Sequence, residues 1–272
     1  MAEIMLLPEH LKLRERKGSS HKGDNGRVLV VAGSDDFVGA AYLCSMAAFR
    51  SGVDNVTVVA PEGVAWALNC MSPDLITVKV NGGFFTPASA KRVIALSKNF
   101  DAVLVGNGFG LRDSTRKFAA AVVSGVECFK VVDADAIKSV RLQEISNAIL
   151  TPHKKEFEIL LGNSGCSEHD LRDKIGDNVV IVKGAVDRIV SKGRIAFNKT
   201  GNAGMTVSGT GDVLAGLAAG ILAQEKDLWR SACAAAYVNG LIGDVLFRKF
   251  GYGFVASDML ECIGREVYRL YG

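Results

Sequence analysis

What this chain lacks narrows its function before any motif is read. Its six cysteines, at 44, 70, 128, 166, 233 and 262, form no CxxC pair. That spacing removes local metal and redox motifs and leaves reduced, buried thiols as the expected state. Outside the mixed-sign LKLRERK there is no block of five or more like charges, and the formal net charge is only +3. Neither nucleic acid nor another polyanion is therefore an expected partner. The longest apolar run, counting glycine, is Val213–Ala223, well short of the roughly 20 residues that span a membrane. Near the start, Ile4–Leu7 is too short for a signal-peptide core and Glu3 stands where a basic flank belongs. The expectation is a cytoplasmic protein without a membrane partner. No fixed-period repeat, low-complexity tract or Pro/Ser-rich linker marks a boundary.

What is present suits a packed α/β protein. The 272 residues are 49% hydrophobic and 22% charged, enough to bury a substantial core. Short Val-, Ile- and Leu-rich runs recur at Arg27–Ser34, Val56–Ala60, Leu75–Val80, Asp101–Gly106, Cys128–Asp133 and Ala148–Thr151. Most are separated by stretches long enough for a helix, which predicts a mainly parallel sheet covered on both faces. After Asn178 the rhythm changes. VVIVKGAVDRIVSKGRIAFN reads as three short strands with turns at Lys183-Gly184 and Ser191–Gly193, so the sheet is expected to finish antiparallel. From Gly211 onward the pattern is helical, and Val255, Met259, Cys262 or Ile263, Val267 and Leu270 make one apolar stripe. Residues 1–26 are polar and glycine-containing and read as an arm against a single domain of residues 27–272.

The strongest local signal is NKTGNAGMTVSGTGDVLAG, Asn198–Gly216, where glycines lead into an apolar helix. Exposed amides at such a helix start attract phosphate, because the dipole is positive there and no side chain blocks the approach. Asp212, in the first turn, can cap free amides or take a proton from a substrate hydroxyl. The helix terminus is expected to lower its pKa. The run is not the GxxxxGK[ST] phosphate loop, because no lysine follows its glycines. GNGFG, Gly106–Gly110, follows a strand and faces the carboxyl edge of the sheet, where ligands bind in such folds. It is equally a tight turn, and Leu111 breaks the dinucleotide fingerprint GxGxxG. TPHKKE places His153 and Glu156 at a strand end and helix start. With no second histidine nearby, zinc is set aside, and Glu156 also suits first-turn helix stabilisation. Lys183 closes an apolar strand before Gly184, as a nucleotide contact or as a hairpin lysine.

GSDDFVGAA, GNGFG, DADAI, TPHKKE, KGAVD and GNAGMTVSGTGD, in that order and spacing, resemble the NAD(P)H-hydrate dehydratases of the ribokinase-like superfamily over about Lys22–Gly272. The resemblance implies a ribokinase-like α/β fold: a doubly wound, mostly parallel sheet with helices on both faces and some antiparallel strands toward the C-terminal half. It implies a hydro-lyase that repairs the S-epimer of hydrated NAD(P)H. ADP or ATP, with Mg2+, phosphorylates the 6-hydroxyl, and elimination of phosphate then restores the double bond. Carried over by position, Asp212 is the base, and Gly209, Thr210 and Gly211 form the anion hole. Lys183, Gly184, Ala185, Val186 and Asp187, with Gly211, bind the adenine nucleotide. Ala40, Gly108 or Gly110, His153 and Asp212 contact the hydrated cofactor, and Glu156 organises magnesium indirectly. A homotetramer is implied too, as is a functional link to an NAD(P)H-hydrate epimerase; residues 1–26 are too few to encode one, so a separate chain is expected. Ala203 departs from the family's usual GNPGM. The competing readings are a ribokinase-like kinase of a vitamin precursor, hydroxyethylthiazole or hydroxymethylpyrimidine, and a nucleotide-binding regulatory module without turnover.

Overall fold

The computed structural model describes residues 3–271. Ten strands make one sheet: β1 (Glu3–Met5), β2 (Arg27–Val31), β3 (Asn55–Pro61), β4 (Ile76–Val80), β5 (Ala102–Val105), β6 (Phe129–Val132), β7 (Ala148–Leu150), β8 (Val179–Val182), β9 (Asp187–Val190) and β10 (Ile195–Asn198). Their spatial order is β1-β10-β9-β8-β7-β6-β5-β2-β3-β4. From β8 to β4 every neighbour is parallel, as expected for strands rich in Val and Ile with helical crossovers.

The alternation along each strand sends side chains to two cores. Val28 and Val30 pack with helices α1 (Val38–Arg50), α2 (Glu62–Met71), α8 (Thr210–Glu225), α9 (Leu228–Phe250) and α10 (Ala256–Tyr268). Leu29 and Val31 pack on the other face with α3 (Pro87–Ser97), α4 (Asp113–Gly125), α5 (Ala134–Ile137), α6 (Lys154–Asn163) and α7 (Leu171–Lys174). This is the doubly wound, mostly parallel arrangement that the sequence pattern predicts.

Two expectations need correction. The last strands in the chain, β8, β9 and β10, pair antiparallel as expected, but the head is more than an arm, because its β1 adds to β10 in parallel, with Glu3 opposite Ile195. An unpaired β10 would leave a row of backbone groups open, and the head supplies their partners. Leu6, Leu11 and Leu13 are buried behind that strand. In the C-terminal stripe, Val255 is exposed because it precedes the first turn of α10. Ile263 is fully buried and Cys262 only partly, so the stripe runs through Met259, Ile263, Val267 and Leu270.

Helix α8 is buried on nearly every side, and glycine permits that seat. A Cβ on Gly216 would sit 2.0 Å from the carbonyl oxygen of Cys44 in α1, and one on Gly220 would sit 2.0 Å from Ser51 Oγ. Gly216→Ala is therefore expected to lower the thermal midpoint, because overpacking costs about 1–3 kcal/mol, more than the roughly 1 kcal/mol of helix propensity gained. Gly39→Ala in α1, which meets open space, should leave the midpoint unchanged or raise it. Thermal melts of the two variants make the comparison.

Candidate active site

The carboxyl ends of β5 to β8 open along one edge, and a polar residue stands within two positions of each strand end. Asn107 follows β5, Asp133 follows β6, Thr151 follows β7 and Lys183 follows β8. The N-terminus of α8 arrives at the same edge. Asn107, with no exposed surface, donates through Nδ2 to Asp212 Oδ1 at 2.7 Å and to Asp133 Oδ2 at 2.8 Å. Asp133 Oδ1 accepts from Thr151 Oγ1 at 2.6 Å and from Lys183 Nζ at 3.2 Å. The Lys183 ammonium stands 3.3 Å from where a Gly211 Cβ would be. A carboxylate, an ammonium and a helix N-terminus thus converge within one turn of α8.

The first residues of α8 are arranged to expose backbone. Gly209 is the N-cap with φ 98°, a left-handed conformation that favours glycine. A Cβ there would meet Leu43 Cδ1 at 2.6 Å and Ala256 Cβ at 2.8 Å. Thr210 Oγ1 donates to the carbonyls of Met205 (2.8 Å) and Val207 (3.2 Å), which ties the preceding loop to the helix. That loop is anchored to α9, because Asp244 accepts from Gly201 N and Asn202 Nδ2, each at 3.0 Å. Ala203 is the exposed first residue of a 3₁₀ turn whose N-cap, Asn202, accepts from Gly204 N. Proline suits that first position equally, so GNAGM and GNPGM specify the same turn.

Of the two roles read for Asp212, the cap would need a hydrogen bond from an amide at the start of α8. Among the described residues the hydrogen bond to its carboxylate comes from Asn107, not from an amide of its own helix. The expected fall in its pKa is reversed: the value is pushed up to about 6. Burial is the main cause. The Asn107 hydrogen bond and Lys183 pull the value down, while the nearby charges of Asp133 and Asp135 push it up. Removal of the carboxylate from water outweighs the helix terminus that motivated the opposite expectation.

Other proposed contacts fall around this centre. The space above Gly108 is closed by Phe37 and by Ala40, whose Cβ lies 3.0 Å from a Cβ placed on Gly108. Gly110 N donates to Asp135 Oδ2 at 2.9 Å. His153 and Lys183 are bridged across the sheet edge, with Lys183 N donating to Pro152 O. Gly184, Ala185 and Val186 form an exposed turn at the rim, where Asp187 Oδ1 accepts from Gly184 N at 3.0 Å. Asp187 also holds Asn198, and burial raises its pKa. Glu156 is buried, and both its oxygens are engaged. One accepts from His153 N at 3.0 Å; the other faces Lys138 Nζ at 3.7 Å and His153 Nε2 at 3.4 Å. Any service to a metal would therefore be indirect.

Asn107, Asp133 and Thr151 carry no role in the motif reading, although all three lie in or beside its segments. Their signal is a polar residue within two positions of a run of buried aliphatics: VLVGN, VVD and ILT. A cavity of about 760 Å³ lies at the far end of α8, bounded by Arg14, Arg16, His21 and Glu225 among others. Glu225 there accepts from Arg14 N and pairs with Arg230. A carboxylate, an ammonium and a helix N-terminus meet instead at the opposite end of α8, at Asp212.

A doubly wound α/β sheet with a carboxylate, an ammonium and a helix N-terminus gathered at one edge is the class that the structure defines. Residues 28–265 match the NAD(P)H-hydrate dehydratase family, and the chain belongs to that family. It is 38% identical over 278 residues to a bifunctional NAD(P)H-hydrate repair enzyme of Methanothermobacter thermautotrophicus, covering 96% of this chain and 54% of the relative. The chain thus spans about half the length of that relative. An ADP-dependent (S)-NAD(P)H-hydrate dehydratase of Cenarchaeum symbiosum is 34% identical over 91% of this chain and 90% of its own length. The crystal structure of the ADP/ATP-dependent NAD(P)H-hydrate dehydratase of Bacillus subtilis, co-crystallised with ATP/Mg2+, superposes with a TM-score of 0.83. It is 25% identical and covers 98% of each chain. A hydroxyethylthiazole kinase from Pyrococcus horikoshii, 14% identical with a TM-score of 0.58, shares the fold alone.

His153 separates a local role from a binding role. Its Nδ1 accepts from the amides of Lys155 (3.1 Å) and Glu156 (3.3 Å), capping α6. His153→Asp keeps a capping acceptor and should keep the thermal midpoint, whereas His153→Ala should cost about 1 kcal/mol of stability. If His153 also touches substrate, both variants will raise KM. An unchanged KM in His153→Asp would confine the residue to the cap.

Proposed function

We propose that this chain is a hydro-lyase that returns the S-epimer of hydrated NADH or NADPH to the parent cofactor at the expense of ADP or ATP. The observation that carries the reading is the convergence of Asp212, held by Asn107, with the Lys183 ammonium beside Gly211 at an open helix N-terminus. Hydroxide is a poor leaving group and phosphate a good one, so the hydroxyl is first phosphorylated. Its oxygen attacks the terminal phosphorus of the nucleotide while Asp212 takes the proton, and the phosphoanhydride bond breaks. The amides of Gly209–Gly211 face the charge of the transferring group, where fixed dipoles stabilise it most. Breaking the ring C–O bond then expels phosphate, and loss of a proton from the neighbouring carbon restores the double bond.

The pKa of Asp212, near 6, suits proton abstraction, because the carboxylate is mostly ionised at neutral pH yet basic enough to accept a proton as the attack develops. The rim turn Lys183–Asp187 and Gly211 serve the adenine nucleotide in this reading. Ala40, Gly108 or Gly110, and His153 serve the hydrated nicotinamide. Magnesium supplies charge neutralisation on the phosphates. An ion of this kind is held largely by phosphate oxygens and water, with one or two carboxylates. A homotetrameric assembly, a cytoplasmic setting and a functional link to an NAD(P)H-hydrate epimerase complete the reading. No helix among the described residues is long and apolar enough to cross a membrane.

With hydrated NADH, magnesium and ADP or ATP, the protein should restore the near-ultraviolet absorbance of the reduced nicotinamide and release phosphate. Absence of recovery with either nucleotide overturns the proposal. Asp212→Ala should reduce kcat by at least about 10³-fold with little change in nucleotide affinity. Because the base must be ionised, kcat/KM should fall as pH drops through about 6 and level off above it.

A further inference from the structure

We infer that Asp133 is a positioning residue that couples the base to the ammonium: through Asn107 it aims the Asp212 carboxylate, and directly it holds Lys183 beside Gly211. This inference rests on the dehydratase reading for its link to turnover, but its geometry stands apart from the identity of the substrate.

Asp133 is only 2% exposed and lies beneath the site, so it is excluded from contact with substrate. Its carboxylate is nevertheless fully employed: one oxygen accepts from Thr151 Oγ1 and Lys183 Nζ, the other from Asn107 Nδ2. Asn107 spends both amide hydrogens on carboxylates, one on Asp133 and one on Asp212, while its Oδ1 is buried with no partner among the described residues. An amide whose oxygen goes unpaired serves its two nitrogen contacts alone. Rotation by half a turn would set Oδ1 against two carboxylates, so their charges fix its orientation. A buried, unpaired polar atom calls for an explanation other than folding, and the fixed aim of Asp212 supplies one.

The groups that face Asp212 come from five elements, with Asn107 just beyond β5. Asp133 follows β6, Asp135 lies in α5 and Lys183 follows β8. Cys44, in α1, is buried close enough for Asp212 and Asp133 to help raise its pKa. Asn107 and Lys183 favour the ionised base, whereas Asp133 and Asp135 disfavour it. Removing Asp133 and removing Asn107 should therefore move the titration of Asp212 in opposite directions, which a merely structural role would not do.

The test combines Asp133→Asn and Asn107→Ser with two readouts: the acid limb of kcat/KM, and the titration of Asp212 followed by NMR of ¹³C-carboxyl-labelled aspartate. Asp212→Asn assigns the resonance. Asp133→Asn should lower kcat by about 10- to 100-fold, the range of loss known for supporting residues, and move the titration to lower pH. Asn107→Ser should also lower kcat but move the titration to higher pH. Movement of both in the same direction, or a wild-type titration and kcat in folded Asp133→Asn, overturns the inference. If Asp133→Asn does not fold, Thr151→Val leaves the charge in place and removes one anchor. It should lower kcat more than it raises KM, and an unchanged kcat overturns the inference. The NMR titration needs no turnover, so a wild-type protein inactive on NAD(P)H hydrate would sink the dehydratase reading while this inference was judged on its own.

Discussion

The closeness of α8 to α1 governs where everything at the site can stand. Two carbonyl-lined notches on α1, at Cys44 and Ala48, admit α8 only because Gly216 and Gly220 present no side chain. That contact fixes the height of the helix over the sheet. Its N-terminus therefore reaches the carboxyl ends of β5 and β6, and Asp212 comes within hydrogen-bonding distance of Asn107. The start of α1 carries Ala40 against Gly108. One helix pair thus sets the distance between the helix end proposed to bind phosphate and the segment proposed to hold the hydrated cofactor. Close packing of this kind is stiff, so the reacting groups would be held by the core rather than by loops.

Electrostatics add a second layer. The site gathers Asp133, Asp135 and Asp212 against Lys183 and Lys138, and at this edge like charges alone would push the carboxylates apart or protonate them. Neutral donors do the mediating: Asn107 between two carboxylates, and Thr151 on one of them. A base of intermediate strength results from that balance, because burial and repulsion raise its pKa while the amide and the ammonium restrain it.

Much of this was legible in the sequence, and the reasons differ by element. Strands β2 to β10 announced themselves because a doubly covered parallel sheet demands continuous aliphatic runs, which polar breaks then end. The glycine-capped start of α8 was legible because a left-handed N-cap such as Gly209 favours glycine. Strand β1 was not, because three residues of EIM have no period of their own and become a strand only when β10 offers an edge. The direction of the Asp212 shift was misread because helix position is local, whereas burial depends on residues from four other parts of the chain. Asn107 and Asp133 escaped a role for a related reason: each is a single polar residue after a strand, and only the parallel register sets them side by side.

The pairing of Glu3 with Ile195 has a bearing on how the chain is made. A ribosome emits β1 long before its partner exists, so the segment must wait while the domain assembles, and β10 stays open until the head returns. Contacts so distant along the chain form late in folding. The exposed margin of the sheet is therefore longest-lived during synthesis, when neighbouring nascent chains are most able to add to it. Glu3–Met5 thus close an edge that β10 would otherwise present to other chains.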